Sequence, residues 1–298
     1  MSIPCANGLL FFFTFGSPTK LFFSMKKLIL IVVSVLILKG GTFSQERDNI
    51  IIRVVYETLS RKYSDSKGRA SDLHYLDIGN SFSRYYSIDA QLLHEFKKEM
   101  ISRKSSPQEI LAKSKGYKSG SQDLIVKHYL ECKLLCYSKV IIQDYIYEEP
   151  MDGLGWEFLE GNDTILGYDC KKAKAQFRGR EWTAWYATEI PSPDGPWKLS
   201  GLPGLILKAI DSTGDFSFES KSIESPKESL PMDISYHLAE GEVIKTDGKT
   251  LYLVKKKSIE DISGSIAAQG LTIVSVTDEK GVQGEIPKRK MNSIEEYK

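Results

Sequence analysis

The length, composition and charge of this chain exclude several classes of protein. It has 298 residues, of which 41% are hydrophobic and 27% charged, as in globular proteins with a buried core. This composition excludes wholesale disorder, collagen-like repeats and a protein with several membrane spans. The first 44 residues contain four lysines and no acid, so the remainder holds 36 basic and 39 acidic side chains, a net charge of −3. Neither this balance nor any long Lys/Arg run provides the positive surface that nucleic acids require.

The amino terminus has the pattern of a secretory signal. Met25-Lys26-Lys27 precedes eleven apolar or small residues, and small and polar residues follow up to Gln45. Eleven helical residues rise only about 16 Å, too short for a bilayer core of about 30 Å. We predict a signal peptide at 25–44 and a periplasmic or secreted product with no transmembrane span, and we interpret 1–24 as an upstream extension before the natural start. The alternative is an unusually long leader with two apolar patches.

The remaining pattern predicts a single β-rich domain over 45–283. In chain order it begins with a strand over 50–59 and a hairpin over 73–86, followed by a helix over 90–103 that Asp89 caps. A polar connection with one short helical turn covers 105–121, and a flexible tail covers 284–298. Further strands are predicted at 124–130, 140–147, 155–159, 165–176, 181–190, 205–210, 216–223, 232–237 and 251–255. The predicted class is mainly β (α+β), a curved antiparallel sheet or open half-barrel with one packed helix.

Three cysteines remain after the predicted signal: Cys132, Cys136 and Cys170. An odd number in an oxidising compartment allows one internal disulfide and leaves one thiol. The pairing stays open between Cys170 with Cys132 and Cys170 with Cys136. His128 precedes these cysteines, but the spacing is not that of a zinc finger or ribbon, so we predict no metal and no cofactor.

The most distinctive stretch of the sequence is 182–210, which is rich in aromatic residues, proline and glycine. Pro203 and Gly204 predict a type II turn over 202–205, in which Gly204 has a positive φ. Large aromatic side chains at alternating positions are typical of a sheet core. Alternatively, a rigid aromatic loop borders an apolar groove. The candidate residues for binding a ligand or partner are Trp182, Trp185, Tyr186, Trp197, Leu202 and Pro203, and the structural turn residues are Gly201, Pro203 and Gly204.

The segment Gly201-Leu202-Pro203-Gly204-Leu205-Ile206 resembles the defining motif of the GLPGLI family, exported proteins of Gram-negative bacteria without an established activity. Three further segments are similar to family segments in the same order: 76–79, 167–173 and 185–196. The similarity spans about 50–225. This resemblance implies an exported β-rich domain and brings no catalytic roles.

No nucleophile elbow, zinc-binding helix, phosphate-binding loop or dinucleotide fingerprint occurs in the sequence. The leading hypothesis is therefore a cell-envelope binding module for an apolar ligand or a partner protein, and the predicted architecture resembles the lipoprotein-carrier type of half-barrel. One alternative is a periplasmic thiol/redox protein or other enzyme. A second is a structural envelope component whose aromatic loop serves only folding.

Overall fold

The computed structural model describes residues 48–232, 242–273, 286 and 288–297. The predicted signal peptide at 25–44 and the extension at 1–24 lie outside the described residues. The strand predicted at 232–237 lies outside them too, except for its first residue.

The described residues are mostly β, with four helices. The strands are β1 (Asp48–Asn49), β2 (Ile52–Ser60), β3 (Ala70–Ile78), β4 (Phe82–Ser87), β5 (Asp123–His128), β6 (Lys133–Val140), β7 (Gln143–Pro150), β8 (Glu157–Ile165), β9 (Tyr168–Phe177), β10 (Arg180–Ala187), β11 (Leu205–Asp211), β12 (Phe216–Glu224), β13 (Pro231–Met232) and β14 (Val243–Lys245). The helices are α1 (Ile88–Ser102), α2 (Pro107–Ser114), α3 (Gly248–Glu260) and α4 (Ile262–Ala268).

Twelve strands form one sheet in the order β14-β7-β6-β5-β4-β3-β2-β12-β11-β10-β9-β8. Neighbouring strands are antiparallel, apart from the short β14, which pairs in parallel with β7. Strands β1 and β13 pair with each other in a small separate sheet. The mainly β, antiparallel class predicted from the sequence is confirmed.

The large sheet curls so strongly that strands near its two edges meet. Nine strand spacings separate β7 from β9, which in a flat sheet is about 43 Å at about 4.8 Å each. Nevertheless Arg178, in the turn after β9, donates a hydrogen bond to the Glu149 carboxylate on β7. The predicted curvature is therefore confirmed, and the sheet stays open because β14 and β8 remain as edges.

The two faces of the curled sheet carry different cores because successive side chains of a strand point to opposite faces. On the inside, cross-strand neighbours such as Tyr85, Ile125 and Tyr147 belong to the main core, which continues to Trp182 and Phe218. On the outside of β4 to β7 lies a second core, which Met232 of β13 completes. Its other members include Phe82, Tyr86, Leu124, Val126, Leu135 and Ile146.

The predicted helix over 90–103 corresponds to α1, which packs against β3 and β4. It begins two residues earlier than predicted, and its N-cap is Ser87 instead of Asp89, since the Ser87 hydroxyl accepts a hydrogen bond from the amide of Ala90 at 3.2 Å. The predicted connection over 105–121 contains the two-turn helix α2.

The prediction of a strand at 251–255 is wrong, because these residues lie within α3. Asp247 caps this helix by accepting a hydrogen bond from the Thr250 amide at 2.8 Å. Leu251 and Val254 lie one helical turn apart and both contact the main core. This short run of apolar residues fits either the two-residue period of a strand or the 3.6-residue period of a helix, and packing against the inside of the sheet favours the helix.

Candidate functional site

The segment between β10 and β11 crosses the inside of the curled sheet, and we call residues 188–204 the bridging loop. Its central residues, 194–200, are all buried. Within this stretch Trp197 has a φ of 53°, a left-handed conformation that non-glycine residues seldom adopt. Such strain persists only where the surroundings fix the backbone.

A buried lysine on β5 holds the bridging loop. The ammonium group of Lys127 donates to the Asp194 carboxylate, to the Gly195 carbonyl at 2.6 Å and to the Leu199 carbonyl at 3.0 Å. Tyr129 donates to the other Asp194 oxygen at 2.7 Å. Burial lowers the pKa of Lys127, and the Asp194 carboxylate offsets that shift only in part. All three donors of the lysine are used, so it serves to position the loop.

A second buried lysine lies beside Trp197. Lys198 donates to the Tyr147 hydroxyl at 2.6 Å and pairs with Glu149 at 2.7 Å and Glu295 at 2.6 Å. Burial lowers the pKa of Lys198, but its interactions with Cys136, Glu295 and Glu149 outweigh burial and the pKa is raised. The pair with Glu295 ties the loop to the carboxyl-terminal residues.

The predicted turn residues are in place, although the turn differs from the predicted type II. Gly204 does not have a positive φ, and its amide donates to the Leu202 carbonyl at 2.8 Å, which makes a three-residue turn around Pro203. A Cβ at position 204 would lie 2.2 Å from the Ala187 carbonyl oxygen, so the close approach of two backbones requires glycine there. The left-handed residue is Gly201, with a φ of 92°.

Two of the predicted aromatic candidates meet on the inside of the sheet. The ring centroid of Trp182 lies 5.6 Å from that of Trp197 and 5.7 Å from that of Phe218. Phe177 packs edge-on against Trp197 at 5.5 Å. Trp182 is fully buried, so Trp197 and Phe218 form the side of this cluster that faces the cavity described below.

The other candidates lie elsewhere. Trp185 is on the outer face of the sheet, between the ammonium groups of Lys172 and Lys208 at 5.2 and 5.0 Å from its ring centroid. A bulge between Trp185 and Tyr186 interrupts the pairing with β11. Tyr186 and Pro203 line a shallow depression beside Phe158 of β8.

Leu202 is buried in the main core and is 1% exposed. The structure therefore does not bring the six predicted binding residues together in one site.

A cavity of about 600 Å³ lies between the inside of the sheet, helix α3 and the carboxyl-terminal residues. Strands β2 to β7 and β12 supply one wall, Trp197 of the bridging loop supplies another, and α3 lies across from them. Apolar lining residues include Ile125, Tyr147, Trp197, Phe216, Phe218 and Leu251. Polar lining residues include Thr58, Asp72, His74, Asp123, Ser138 and Lys255.

Residues 288–297, which we call the strap, border this cavity. Met291 forms a bridge with Tyr63, and Asn292 accepts a hydrogen bond from Arg180 at 2.8 Å. The amide of Glu296 donates to the carbonyl of Arg178 at 2.9 Å. The described part of the predicted flexible tail, 284–298, is thus held in place by specific hydrogen bonds, because a buried arginine on β10 needs acceptors that this segment supplies.

The predicted disulfide is not formed, since Cys136 and Cys170 are both free thiols. Cys136 lies on β6 and Cys170 on β9, eight strand positions apart in the sheet. Burial raises the pKa of Cys136 to about 12 and that of Cys170 to about 11. Both thiols are therefore protonated at neutral pH, which makes them poor nucleophiles.

Within residues 48–232, 242–273, 286 and 288–297, no group of three or more His, Cys, Asp or Glu side chains is placed to hold a metal ion. Among those same described ranges, no helix has the length and hydrophobicity needed to span a membrane.

Sequence reasoning missed most residues of the cavity. Phe216 and Phe218 were predicted only as part of a strand, and His74 only as part of the hairpin over 73–86. The alternation on β2, β3 and β12 is a signal that these residues share a face. The sequence alone does not say that α3 faces them.

The fold and cavity define a class: a β-rich protein whose curled open sheet holds a bridging loop and encloses an apolar-walled cavity. The profile of a family described as "Protein of unknown function (Porph_ging)" matches residues 177–208, which include β10 and the bridging loop. No curated protein matches the chain.

Several solved structures are similar to this chain in part. Two structures of PNGF-II, in C2 and P21 space groups, have TM-scores of 0.47 at 12% and 13% identity and cover 72% and 70% of this chain. The matched region spans 34% of the PNGF-II chain, about a third of its length. A LolA superfamily protein, NE2245 from Nitrosomonas europaea, has a TM-score of 0.22 at 11% identity and covers 62% of this chain and 89% of its own.

Proposed function

We propose that this chain is an exported cell-envelope protein of the GLPGLI type that binds an apolar ligand in the cavity beneath α3. The observation that carries the proposal is a cavity of about 600 Å³ whose walls include Trp197, Phe216 and Phe218. Small-molecule sites are typically concave, largely apolar and roughly 300–1,000 Å³ in volume. A periplasmic or secreted location belongs to the same proposal and is supported by the signal pattern at 25–44.

The rigidity of the bridging loop supports a preformed site. Lys127 donates to backbone carbonyls on both sides of Trp197, and the side chain of Lys198 is anchored on the Tyr147 hydroxyl. A wall that is already ordered loses little conformational entropy when a ligand binds, so more of the contact free energy remains as affinity.

A small ligand fits the aromatic residues better than a docked partner protein does. Trp182 and Trp197 are 0% and 6% exposed, so a partner surface cannot reach them, whereas a molecule inside the cavity touches Trp197. The ligand hypothesis therefore takes precedence over the partner hypothesis.

The test uses N-phenyl-1-naphthylamine, an apolar dye that fluoresces when it leaves water, and two variants of α3. Ser258 lines the cavity, while its neighbour Lys257 is exposed. We expect Ser258→Trp to weaken dye binding by about fivefold or more, because overpacking a filled site costs about 1–3 kcal/mol. The matched control Lys257→Trp adds the same side chain on the solvent side and leaves dye affinity unchanged.

If the wild-type chain and both variants bind the dye with equal affinity, the apolar site lies elsewhere. If the wild-type chain does not bind the dye, the proposal is wrong. Fractionation of cells that express the chain with and without residues 25–44 tests the location. Retention of both forms in the cytoplasm contradicts export.

A further inference from the structure

Helices α1 and α2 lie on the surface of the molecule, and we call residues 88–118 the basic arm. Within these two fully described helices Met100 is the one buried residue of α1, and α2 has none. Phe96 of α1 stacks on Tyr117, which follows α2, with ring centroids 4.6 Å apart. The two helices are therefore joined to each other, and most of their surface is available to a partner.

The basic arm has a charge opposite to that of the remaining chain. It contains seven basic and four acidic side chains, a net charge of +3. The rest of 45–298 contains 29 basic and 35 acidic side chains, a net charge of −6. A local excess of positive charge in an otherwise acidic chain indicates an anionic partner for this part of the surface.

Most lysines of the basic arm are not neutralised by its own carboxylates. Glu99 pairs with Arg103 at 2.5 Å and Glu109 with Lys113 at 2.8 Å, each within one helix. Two carboxylates of the arm remain. Against them stand five exposed lysines with no carboxylate within 4 Å among the described residues: Lys97, Lys98, Lys104, Lys115 and Lys118.

Exposed apolar side chains lie beside these lysines. Ile101 is 55% exposed and lies one helical turn from both Lys97 and Lys98 on α1. Leu111 is 67% exposed and lies one turn from Lys115 at the end of α2. Residues three or four apart are neighbours on a helix surface, so each of these apolar side chains has a lysine next to it.

The basic arm adjoins the cavity at both of its ends. Asp89, in the first turn of α1, and Lys118, which ends the arm, both line the cavity. Residues 119–122, which follow the arm, line it as well. A surface that binds the arm therefore lies beside the cavity.

We propose that the basic arm binds the surface of an anionic lipid membrane, with its lysines at the phosphate groups and Ile101 and Leu111 at the apolar boundary beneath them. Attraction to anionic lipids and burial of apolar side chains both contribute to such binding. The inference goes beyond the proposed function and stands whether or not the cavity takes a ligand.

A membrane fits the basic arm better than other anionic partners do. A nucleic acid uses the lysines and leaves Ile101 and Leu111 exposed. A protein interface has a contiguous apolar core, whereas these two side chains lie on separate helices. A fluid lipid surface accommodates apolar side chains that are not contiguous.

The experiment measures co-sedimentation of the chain 45–298 with lipid vesicles. The sheet, the basic arm, the cavity and the strap all lie within this form, which lacks the apolar leader that binds lipid by itself. We expect binding to phosphatidylcholine vesicles that contain about one third phosphatidylglycerol to be at least about tenfold tighter than to pure phosphatidylcholine. Most of that preference should disappear in about 0.5 M salt, because salt screens exposed charges.

The diagnostic variant is Lys97→Glu/Lys98→Glu, which reverses two charges beside Ile101. We expect it to weaken binding to the anionic vesicles by at least about tenfold. The matched control is Lys171→Glu/Lys227→Glu, because these lysines are exposed and lie outside the arm, on β9 and after β12. The control changes the net charge equally and should weaken binding by no more than about threefold, since distant charges are screened.

A second pair of variants tests the apolar contribution. Ile101→Ser/Leu111→Ser should weaken binding to the anionic vesicles by about threefold or more, because less apolar surface leaves water. The control Leu130→Ser/Leu166→Ser removes two exposed leucines from the turns after β5 and β8, outside the arm. It should leave the affinity unchanged. Far-ultraviolet circular dichroism checks that every variant keeps its helices and strands.

Four results overturn the inference. Equal affinity of the lysine variant and its control places the lipid contact elsewhere on the chain. Equal affinity for anionic and neutral vesicles removes the role of charge. Tighter binding to double-stranded DNA than to the anionic vesicles at the same salt concentration assigns the lysines to another polyanion. Absence of binding to the anionic vesicles removes the membrane contact.

Failure of this inference is distinguishable from failure of the proposed function. Lys97 and Lys98 do not line the cavity. Lys97→Glu/Lys98→Glu should therefore bind N-phenyl-1-naphthylamine like wild type when no vesicles are present. Dye binding without vesicle binding contradicts the membrane contact alone, and vesicle binding without dye binding contradicts the cavity alone.

Discussion

Lys127 illustrates how single buried residues define the inside of this protein. It is 1% exposed and donates only to the bridging loop. In sequence it is an ordinary lysine in a strand, and nothing in the spacing to Asp194 predicts that the two pair across 67 residues. A charge of this kind is expensive to bury unless every partner is present.

We predict that Lys127→Met destabilises the folded state by about 3–5 kcal/mol, because it leaves the Asp194 carboxylate buried without a cation. Urea unfolding measures the loss. The double variant Lys127→Met/Asp194→Leu should recover much of it, and Lys139→Met, on the exposed side of β6, should stay within about 0.5 kcal/mol. Equal destabilisation by the single and double variants contradicts this account.

The glycine of the three-residue turn gives a second prediction at this scale. Gly204→Ala places a Cβ against the Ala187 backbone and should cost about 1–3 kcal/mol or more. At Gly153 a Cβ would meet no atom within 4 Å and the φ is not positive, so Gly153→Ala should change stability by less than about 0.5 kcal/mol. Thermal unfolding of both variants checks the contrast, and equal shifts would show that the close approach is unimportant.

The buried thiols allow a test of the thiol/redox alternative. Because burial raises the pKa values of Cys136 and Cys170 to about 12 and about 11, almost no thiolate exists at a pH of about 8 in the folded state. We expect iodoacetamide to label both residues slowly in the folded protein, faster as the pH rises toward those values, and rapidly in urea. Peptide mapping assigns the sites. Rapid labelling of either residue in the folded protein under the same mildly alkaline conditions would restore the alternative.

At the scale of elements, sequence patterns identified most strands and α1, but they missed β6, misplaced strand ends and failed where one short apolar run fits two periods. The prediction for 165–176 joined two strands, since β8 ends at Ile165 and β9 begins at Tyr168, with a turn at Leu166 and Gly167 whose φ values are 53° and 85°. The residues at 251–255 were interpreted as the alternating apolar and polar positions of a strand, whereas they belong to α3, which packs one helical face on the sheet. Tertiary packing decides such short segments.

The strap carries the prediction at this scale. A chain that ends at residue 287 loses the Asn292 and Ser293 acceptors of Arg180 and the Glu295 partner of Lys198, so the cavity opens on that side. We expect N-phenyl-1-naphthylamine to dissociate faster in stopped-flow measurements, and stability to fall by about 0.5–1.5 kcal/mol per lost hydrogen bond. Removal of residue 298 alone is the control. An unchanged dissociation rate in the shortened chain shows that the dye does not pass the strap.

At the scale of the whole molecule, both cores use the same strands. The main core lies on the inside of the curled sheet and the second core on the outside of β4 to β7, so neither can lose its strands while the other stays intact. The hydrogen bond between Arg178 and Glu149 joins strands from opposite parts of the sheet.

We therefore predict one cooperative unfolding transition. Tryptophan fluorescence, which reports Trp182 and Trp197 inside the sheet, and far-ultraviolet circular dichroism, which reports the strands, should give the same midpoint in urea. Saturating dye should raise that midpoint in wild type, and less so in Ser258→Trp, since a ligand that binds only the folded state stabilises it. Separate midpoints for the two signals contradict a single cooperative unit.

Local sequence patterns were enough to establish the β-rich class, the place of α1 and the rigid turn at Gly201 to Gly204, because these depend on alternation, capping and backbone restrictions within a few residues. Tertiary packing was needed to show how far the sheet curls, that Trp197 faces a cavity while Trp185 faces outward, and that His74 lines the same cavity. Those features depend on which distant strands and helices meet. A pattern of neighbouring residues states which faces are apolar, but it does not state what those faces will cover.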